Sequence, residues 1–165
     1  MPQAIDAADP QHPPGYWIRR LQQIAVAIFL QETEGLDITP VQFGALEAMA
    51  QAPGLDQRRL AARLGLDTST LGGVLDRLVA RGWCERRAAP HDRRARLLHL
   101  SAAGQAALAQ ARPRMEVAQA RILSPLNAAQ QQQFMQLMVQ LVQANNAHSR
   151  APTADHSRAG IRPEP

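Results

Sequence analysis

Apolar residues recur along the chain at helical spacing and divide it into short amphipathic segments. In the segment between Asp67 and Gly82, the apolar positions are Leu71, Val74, Leu75, Leu78 and Val79. They fall at i, i+3, i+4, i+7 and i+8, which predicts a helix with one buried face. Asp67 is suited to cap this helix, because its carboxylate can accept free N–H groups of the first turn. Gly82 is suited to end it, because glycine adopts the left-handed conformation at little cost.

Further helices are predicted before this segment. The first runs from Tyr16 to Gln31, and its apolar stripe is wide enough to pack against two different partners. The second begins at Thr39, which forms a capping box with Gln42. Its inward positions are predicted to be Val41, Ala45, Leu46 and Met49. Asp56 is predicted to cap a short third helix that Gly65 ends, so two short helices follow each other across a brief turn.

The chain after Gly82 predicts two strands around an arginine-rich tip, followed by two helices. Ser101 caps a long helix, in which Pro113 is expected to cause a kink or a break. Asn127 caps the last helix, whose apolar positions are Phe134, Leu137, Met138, Leu141 and Val142. These positions repeat the spacing of the helix that begins at Asp67. Strands beyond such a helix are typical of a winged helix-turn-helix, so the predicted fold class is mostly α with a small β wing.

The length of 165 residues allows one domain with tails. Residues 1–14 and 148–165 are rich in proline, alanine and polar residues, and we predict that both are disordered tails. The domain between them, residues 15–147, is predicted to contain a DNA-binding lobe at about 36–100. Amphipathic helices at about 15–33 and 101–146 flank the lobe, which favours pairing with a second copy of the chain.

Positive charge is concentrated in the central part of the sequence. All 18 basic residues are arginines, and the formal net charge is +4. Ten arginines and five acidic residues lie between Leu55 and Leu100, so this window alone carries +5. A basic segment in an otherwise nearly neutral chain is typical of a protein that binds a polyanion.

Several classes of protein are disfavoured by what the sequence lacks. A single cysteine, Cys84, excludes an internal disulfide and fits a reducing, cytoplasmic location. No run of 18 apolar residues and no signal-peptide pattern occurs, so no membrane partner is expected. The sequence contains no nucleophile–base pair, no phosphate loop and no useful pair of carboxylates, which argues against an enzyme. The five histidines have no metal-ligand spacing, and neither a metal nor a cofactor is expected.

Three stretches of the sequence together resemble the MarR family of winged helix-turn-helix regulators. They are T-P-V-Q-F-G-A-L, then L-A-A-R-L-G-L-D-T-S-T-L-G-G-V-L-D-R-L-V-A-R-G, then H-D-R-R-A-R-L-L-H-L-S-A-A-G. The resemblance covers about residues 16–142. It implies a homodimer that binds a palindromic double-stranded operator, mostly as a repressor, and releases it on binding a small aromatic or phenolic acid. The sequence around I-R-R-L-Q-Q-I is most similar to that of members that control the catabolism of aromatic or nicotinate-type acids.

The polar face of the helix beginning at Asp67 is the predicted DNA-reading surface. Its predicted contacts are Thr68, Ser69, Thr70, Gly72, Gly73 and Arg77. Hydroxyl groups there can reach base edges or phosphates, and two glycines permit close approach of another surface. A plain solvated basic face is the alternative interpretation, and for Arg77 the alternative is a surface ion pair with Asp76 or another acidic residue.

The wing supplies a second group of predicted contacts, which are Asp92, Arg93, Arg94 and Arg96. Asp92 and Arg94 match the D-x-R pattern of the family, in which the carboxylate can hold the guanidinium extended towards the minor groove. The middle residue is also an arginine, so either Arg93 or Arg94 can be the one that enters the groove. Arg96 and Arg93 are the predicted phosphate contacts.

An aromatic acid needs a cation or hydrogen-bond donors for its carboxylate and flat apolar walls for its ring. The predicted donors are Arg19, Arg20 and Gln23, and the predicted walls are Trp17, Phe43 and Met49. The competing interpretation is that the apolar three belong to an ordinary core and the arginines to solvent or to dimer contacts.

Two other functions stay open from the sequence. The chain can be an oxidant-sensing repressor that uses Cys84, if neighbouring arginines lower the pKa of its thiol. An inert buried thiol is favoured, because the chain contains no second cysteine. The chain can also be a winged-helix module that binds a protein instead of DNA. Dependence on salt separates this protein-binding module from the DNA-binding regulator, since phosphate contacts release counterions.

Overall fold

The structure is a computed structural model that describes residues 12–89 and 92–153, with the side chains of residues 92–95 left outside the description. Over these residues the chain forms six α-helices: α1 (Pro14–Glu32), α2 (Pro40–Gln51), α3 (Gln57–Leu64), α4 (Thr68–Ala80), α5 (Ala102–Leu123) and α6 (Ala128–Asn145). Three strands accompany them: β1 (Leu55–Asp56), β2 (Cys84–Ala89) and β3 (Asp92–Leu100). The predicted fold class, mostly α with a small β wing, is confirmed.

The strands form one antiparallel sheet in the order β1-β3-β2. Strand β3 pairs with β1, where Leu98 lies opposite Leu55. It also pairs with β2, from Cys84 opposite Leu100 at the base of the wing to Ala89 opposite Asp92 near its tip. The β2–β3 register shifts between Ala88 and Ala89, close to the tip of the wing. The wing is therefore a two-stranded ribbon whose base is joined to the helix-turn-helix by the short strand β1.

Side-chain caps set the boundaries of the helices as the sequence predicted. The capping box of Thr39 and Gln42 starts α2, with hydrogen bonds of 3.0 and 3.2 Å in its two directions. Asp56 starts α3 and Asp67 starts α4, each accepting a backbone N–H at 2.8 Å. Gly65 ends α3 with a φ of +65°. Each cap satisfies donors or acceptors that a helix end leaves unpaired, so these boundaries are encoded locally.

The core lies between α2, α3, α4, the base of the sheet and the first half of α5. Its largest fully buried side chains are Leu46, Met49, Leu60, Leu71, Leu75, Leu78, Cys84 and Leu98. Thus α4 buries its apolar face inside the lobe and leaves its polar face at the surface.

Two predictions about individual residues are wrong. Val41 and Val79, which were predicted to face inward, are 38% and 36% exposed, because each lies at the edge of its helix's apolar stripe. Of the two outcomes expected at Pro113, a kink or a break, the break does not occur, since α5 runs through Pro113 from Ala102 to Leu123. A proline removes one N–H donor, and the surrounding turns of this long helix keep their own hydrogen bonds.

Helix α6 differs from the other helices because none of its residues is buried. A 3-10 turn of residues 146–148 follows it. The Asn146 side chain then holds Thr153, donating to its carbonyl at 2.8 Å and accepting its N–H at 3.0 Å. We call this pair the asparagine clasp. It lies against the turn between α3 and α4, where a Cβ on Gly65 would be 3.2 Å from Thr153 Cγ2.

The described structure extends slightly beyond the predicted domain boundaries at both ends. Helix α1 begins at Pro14, and the asparagine clasp lies in a segment that the sequence assigned to a tail. The division into tails, lobe and flanking helices stays a prediction. Among the described residues, no helix is both long and apolar enough to cross a membrane.

Candidate nucleic-acid interface

The first turn of α4 presents a cluster of exposed polar side chains. Thr68, Ser69 and Thr70 are all exposed. The Asp67 carboxylate accepts hydrogen bonds from Ser69 Oγ at 2.6 Å and from Thr70 Oγ1 at 2.7 Å, in addition to the Thr70 backbone N–H. These bonds, led by that of Ser69, hold the pKa of Asp67 well below its usual range. The carboxylate is therefore ionised at neutral pH, and both hydroxyls are oriented by it.

The two glycines of α4 have different surroundings. Gly73 is exposed, and a Cβ there would be 3.9 Å from the Arg77 guanidinium. Gly72 is half-buried, and a Cβ there would be 3.3 Å from Gln57 Nε2, which donates to the Thr68 carbonyl at 2.9 Å. The space at Gly72 is thus limited by α3 from inside the lobe. Whether either glycine contacts DNA stays a prediction.

The arginines of the lobe fall into two groups. One group is paired within the protein: Arg59 with Asp56, Arg63 with Gln51, Arg86 with Asp76 and Arg87 with Glu85. Asp76 is thus engaged by Arg86, so the ion pair of Arg77 with Asp76 that competed with a DNA role does not form. The side chains of Arg58 and Arg77 are exposed and make no hydrogen bond or ion pair with another described residue. The sequence did not single out Arg58, since its charge alone does not distinguish it from its paired neighbours.

Arg81, at the end of α4, has a structural position that the sequence did not reveal. Its guanidinium lies 3.7 Å from the centre of the Trp83 ring. It also donates to the carbonyls of Leu36, at 3.1 Å, and Asp37. Arg81 therefore links the end of the recognition helix to the segment before α2. It adds to the net charge of the lobe, and two of its N–H groups are engaged within the protein.

The wing carries the remaining predicted contacts on β3. The backbones of Asp92, Arg93 and Arg94 form the first residues of this strand. Their side chains lie outside the described residues, so the predicted D-x-R arrangement stays a prediction. Arg96 is exposed.

The base of the wing is held to α5 by a close approach of two backbones. The Ser101 N–H donates to the Trp83 carbonyl at 3.2 Å. Gly104 lies against the same peptide, so that a Cβ there would overlap the Trp83 carbonyl oxygen and lie 2.9 Å from its carbon. Position 104 therefore requires glycine, which gives a physical reason for the glycine of the L-S-A-A-G motif.

The residues predicted to bind an effector do not come together as one described pocket. Trp17, Arg19, Arg20 and Gln23 are exposed on the first half of α1. Phe43 packs against Phe29, with ring centres 6.2 Å apart, and Met49 is 1% exposed in the core. No hydrogen bond or ring contact between described residues joins the α1 group to these two. Their role in binding an acid stays a prediction.

A cleft of about 620 Å³ opens beside Met49, between the end of α2, the base of the wing and α5. Arg87, His99 and Arg112 line it together with apolar side chains. Arg112 is held by a double hydrogen bond to Glu47, at 3.0 and 3.2 Å, which also lowers the pKa of Glu47. The cleft thus combines cationic groups with an apolar wall at the junction of lobe and α5.

Cys84 is buried, with 2% of its surface exposed. Its Sγ lies 3.7 Å from Met49 Sδ in the core. Burial raises the pKa of the thiol, and this outweighs the opposing charge of Arg86. A protonated, enclosed thiol is a poor nucleophile. Among the described residues, no group of three or more His, Cys, Asp or Glu side chains is placed to hold a metal ion.

Comparison with known proteins gives a consistent set of relatives. A MarR family model matches residues 36–95. The transcriptional regulator HosA of Escherichia coli is 32% identical over 108 residues, covering 66% of this chain and 80% of that protein. A putative transcriptional regulatory protein for the hcr operon of Thauera aromatica is 36% identical over 99 residues, which are 58% of this chain. The chain spans 58% of the length of that relative.

The chain is also similar to solved structures, and each match spans nearly the whole length of the solved chain. The PcaV transcriptional regulator from Streptomyces coelicolor, in complex with its natural ligand, has a TM-score of 0.77 and 33% identity, covering 84% of this chain and 97% of that chain. BpsR of Bordetella bronchiseptica, whose DNA binding is regulated by 6-hydroxynicotinic acid, has a TM-score of 0.71 and 28% identity. The match covers 77% of this chain and 96% of the BpsR chain.

Proposed function

Because the chain belongs to the MarR family of transcriptional regulators, we propose that it is a DNA-binding repressor released from a palindromic operator by a small aromatic acid. Members of this family are regulators and not enzymes. The observation that carries the proposal is the exposed polar turn of α4, flanked by arginines that no described residue engages. Such a helix suits the major groove, and the duplex is expected to be chromosomal DNA in the cytoplasm.

The DNA surface has three parts in this proposal. Ser69 and Thr70 meet base edges, and Arg58 and Arg77 neutralise phosphates on either side of them. The wing supplies Arg93, Arg94 and Arg96 to the adjacent minor groove and its phosphates. A narrow minor groove attracts arginine through its enhanced negative potential.

A second copy of the chain is proposed to cover α1 and α6. On α6 the exposed apolar residues are Met135, Leu137, Val139, Leu141 and Val142, which are 44–65% exposed. On α1 they include Trp17, Ile18, Leu21 and Ile24, which are 38–65% exposed. Contiguous apolar faces of this kind mark an interaction surface. A two-fold dimer would place two copies of α4 on successive turns of one duplex, about 10 bp apart.

The effector is proposed to be an aromatic acid, in keeping with the resemblance to regulators of aromatic and nicotinate-type acid catabolism. BpsR, to which this chain is similar, responds to such an acid. Two places can receive the carboxylate: the α1 group of Arg19, Arg20 and Gln23, and the cleft beside Met49. The cleft adjoins the junction of α5 with the lobe, where a ligand can change the spacing of the two lobes. The α1 group is exposed on the single chain.

Selection from a random duplex library, followed by binding at several salt concentrations, tests the DNA part of the proposal. We expect a palindromic site and an affinity that falls steeply with salt, because bound arginines release counterions. Arg58→Ala and Arg77→Ala should each reduce the salt slope by about one. Arg86→Ala is the matched control, since its guanidinium is already paired with the Asp76 carboxylate at 2.7 Å. Salt-independent binding to a protein, with no duplex selected, would favour the interaction-module alternative.

Sedimentation at micromolar concentration tests the dimer. The proposal expects one dimer for each palindromic duplex. A monomer that still binds the duplex specifically would overturn it.

The wing is tested by Arg94→Ala, which should weaken DNA binding by roughly 1–3 kcal/mol, the scale for a specific groove-reading arginine. Asp92→Ala should weaken binding as well, although it removes a negative charge near DNA, because the carboxylate orients the guanidinium. The double variant should then lose less than the sum of the two single losses. Tighter binding by Asp92→Ala, or strict additivity, would leave the wing as a plain basic patch.

Thermal shifts with benzoate, salicylate and nicotinate test the effector, with benzamide and cyclohexanecarboxylate as controls for the charge and the ring. An acid that stabilises the protein should also release the selected duplex. Arg19→Gln with Arg20→Gln removes the cations of α1, whereas Arg87→Gln removes one from the cleft. The variants that lose the thermal shift identify the place where the acid binds. If none of the acids shifts the melting temperature of the wild type, the effector proposal is overturned.

A further inference from the structure

The Asp67 carboxylate determines which way the hydroxyl hydrogens at the start of α4 point. An ionised carboxylate offers only lone pairs, so Ser69 and Thr70 must each donate their hydroxyl hydrogen to it. The O···O distances of 2.6 and 2.7 Å are those of charge-assisted hydrogen bonds. The depressed pKa of Asp67 agrees with this arrangement.

Once these hydrogens are engaged, both hydroxyl oxygens can only accept further hydrogen bonds. The Asp67 carboxylate has the same limitation. We call Asp67, Ser69 and Thr70 the acceptor cluster, because its three exposed side chains present lone pairs and no donor.

Nucleic acid offers few partners to a surface that can only accept. Phosphate oxygens are acceptors, as are guanine O6 and N7 and thymine O4, so all of these are excluded. In the major groove, the adenine N6 and cytosine N4 amino groups are donors. We propose that the acceptor cluster reads an adenine or cytosine amino group in each half-site and rejects guanine and thymine there, with Asp67 as the positioning residue that sets this polarity.

This inference rests on the proposed function, from which the ligand, duplex DNA, is taken. The helix terminus alone would favour the opposite ligand, since free N–H groups attract phosphate. The Asp67 carboxylate occupies the Thr70 N–H and places a negative charge there. The first turn of α4 is thereby better suited to base amino groups than to the backbone of the duplex.

The chain contains a matched case without the hydroxyls. Asp56 caps α3 through the Arg59 N–H at 2.8 Å, the same distance as the Asp67 bond to Thr70. The residues two and three positions after Asp56 are Arg58 and Arg59, which have no hydroxyl to orient. Asp56→Asn therefore controls for the loss of a capping charge without a change in hydroxyl polarity.

The first experiment compares duplexes selected by the wild type, Asp67→Asn and Asp56→Asn from one random library. Asparagine can still accept the Thr70 N–H, and its amide can donate to a hydroxyl, which frees a hydroxyl hydrogen to point outward. We expect the wild type and Asp56→Asn to select adenine or cytosine at the position that faces α4. Asp67→Asn should shift that preference towards guanine or thymine. Circular dichroism checks that each variant is folded.

The second experiment needs no variant. In the wild-type site, the selected adenine is replaced by a purine deoxynucleotide that lacks the 6-amino group, or the selected cytosine by its 4-deamino analogue. Affinity should fall by about tenfold, within the range for losing a specific base contact. The same replacement outside the half-sites is the control and should have no effect.

The outcomes separate the two levels of the proposal. A wild-type protein that selects guanine or thymine opposite α4, or that tolerates loss of the amino group, overturns the acceptor cluster and leaves the repressor proposal intact. An unchanged preference in folded Asp67→Asn overturns the role of Asp67. If no duplex is selected even at low salt, both the inference and the proposed DNA-binding function fail.

Discussion

Helices α4 and α6 carry the same spacing of apolar residues, and they reach opposite states in the folded chain. In α4, Leu71, Leu75 and Leu78 are completely buried. In α6, Phe134 and Met138 stand at the points equivalent to Leu71 and Leu75 and are only half-buried, and Leu141, equivalent to Leu78, is 59% exposed. Each helix starts with a side-chain cap, from Asp67 and Asn127 respectively.

The difference teaches what a hydrophobic period encodes. The period specifies that one face of a helix needs cover, because exposed apolar surface is unfavourable in water. It does not specify whether the cover comes from the same chain. Helix α4 follows α3 after a three-residue turn and packs directly against it. Helix α6, in contrast, has an apolar face for which the described chain offers no partner. The lobe, which buries α4 within the chain, and α6, whose apolar face is exposed, therefore call for different experiments.

The largest effect is expected where the closed lobe is tightest, at Gly104. Gly104→Ala places a Cβ on the Trp83 carbonyl, and backbone atoms cannot move aside as a flexible side chain can. We expect a loss of about 3 kcal/mol or more in the free energy of unfolding, at the upper end for overpacking. Urea denaturation measures it.

Gly15→Ala is the matched control, because a Cβ at Gly15 meets nothing within 4 Å. It should be neutral or slightly stabilising, since alanine favours a helix over glycine by up to about 1 kcal/mol. Equal stability of the two variants would show that the junction of wing and α5 is looser than the structure indicates.

Leucine-to-alanine substitutions in the two helices sharpen the comparison further. Leu75→Ala should cost about 2–5 kcal/mol of unfolding free energy, because it leaves a cavity in the lobe. Leu141→Ala should leave the lobe intact and weaken self-association by roughly tenfold or more, since a buried leucine contributes about 1.5–3 kcal/mol. Denaturation at several protein concentrations, together with sedimentation, separates these effects. The comparison breaks if Leu141→Ala is destabilising at every concentration by as much as Leu75→Ala.

A smaller effect is expected at the Glu47–Arg112 pair, which joins α2 of the lobe to α5. The hydrogen bond from Arg112 lowers the pKa of Glu47 below its ordinary value of 4.5. The stability that this bond contributes is therefore present above pH 4.5 and is lost as pH falls through the lowered pKa.

Glu47→Gln should accordingly lower the melting temperature at pH 7 by about 1–2 °C, and the difference should shrink as pH falls through the lowered pKa of Glu47. Scanning calorimetry across this pH range measures the effect. Glu116→Gln, at an exposed carboxylate of α5, is the control and should change neither value. A Glu47→Gln effect that grows in acid would contradict the assignment.

The smallest effect is expected at Cys84. The thiol is enclosed beside Met49, and burial raises its pKa, so peroxide should find little thiolate to oxidise. Cys84→Ser should leave DNA affinity and its response to peroxide within about twofold of the wild type. Release of the wild type but not of the variant by peroxide would establish the oxidant sensor.

Local features of the fold could be predicted from the sequence because the signals are local. Asp56, Asp67 and Ser101 each act within three residues of themselves, so a short stretch contains both partners of the bond. The apolar period likewise identified the buried face of α4. It failed at Val41 and Val79, because exposure at the edge of a stripe depends on the neighbouring element and not on the period.

Contacts between distant parts of the chain were the features that the sequence could not supply. The close approach of Gly104 to Trp83 joins positions that are 21 residues apart in the numbering. The bonds of Arg81 to the segment before α2 span 44 and 45 residues. The predicted effector residues failed to form one described pocket for the same reason, since residue type does not show which helices face each other.

The asparagine clasp places Thr153 beside the helix-turn-helix. Asn146 holds the Thr153 backbone, and Thr153 Cγ2 lies 3.2 Å from where a Cβ on Gly65 would stand, at the turn between α3 and α4. A bulky dye or label attached at position 153 would therefore lie next to that turn, where it would compete with an incoming duplex.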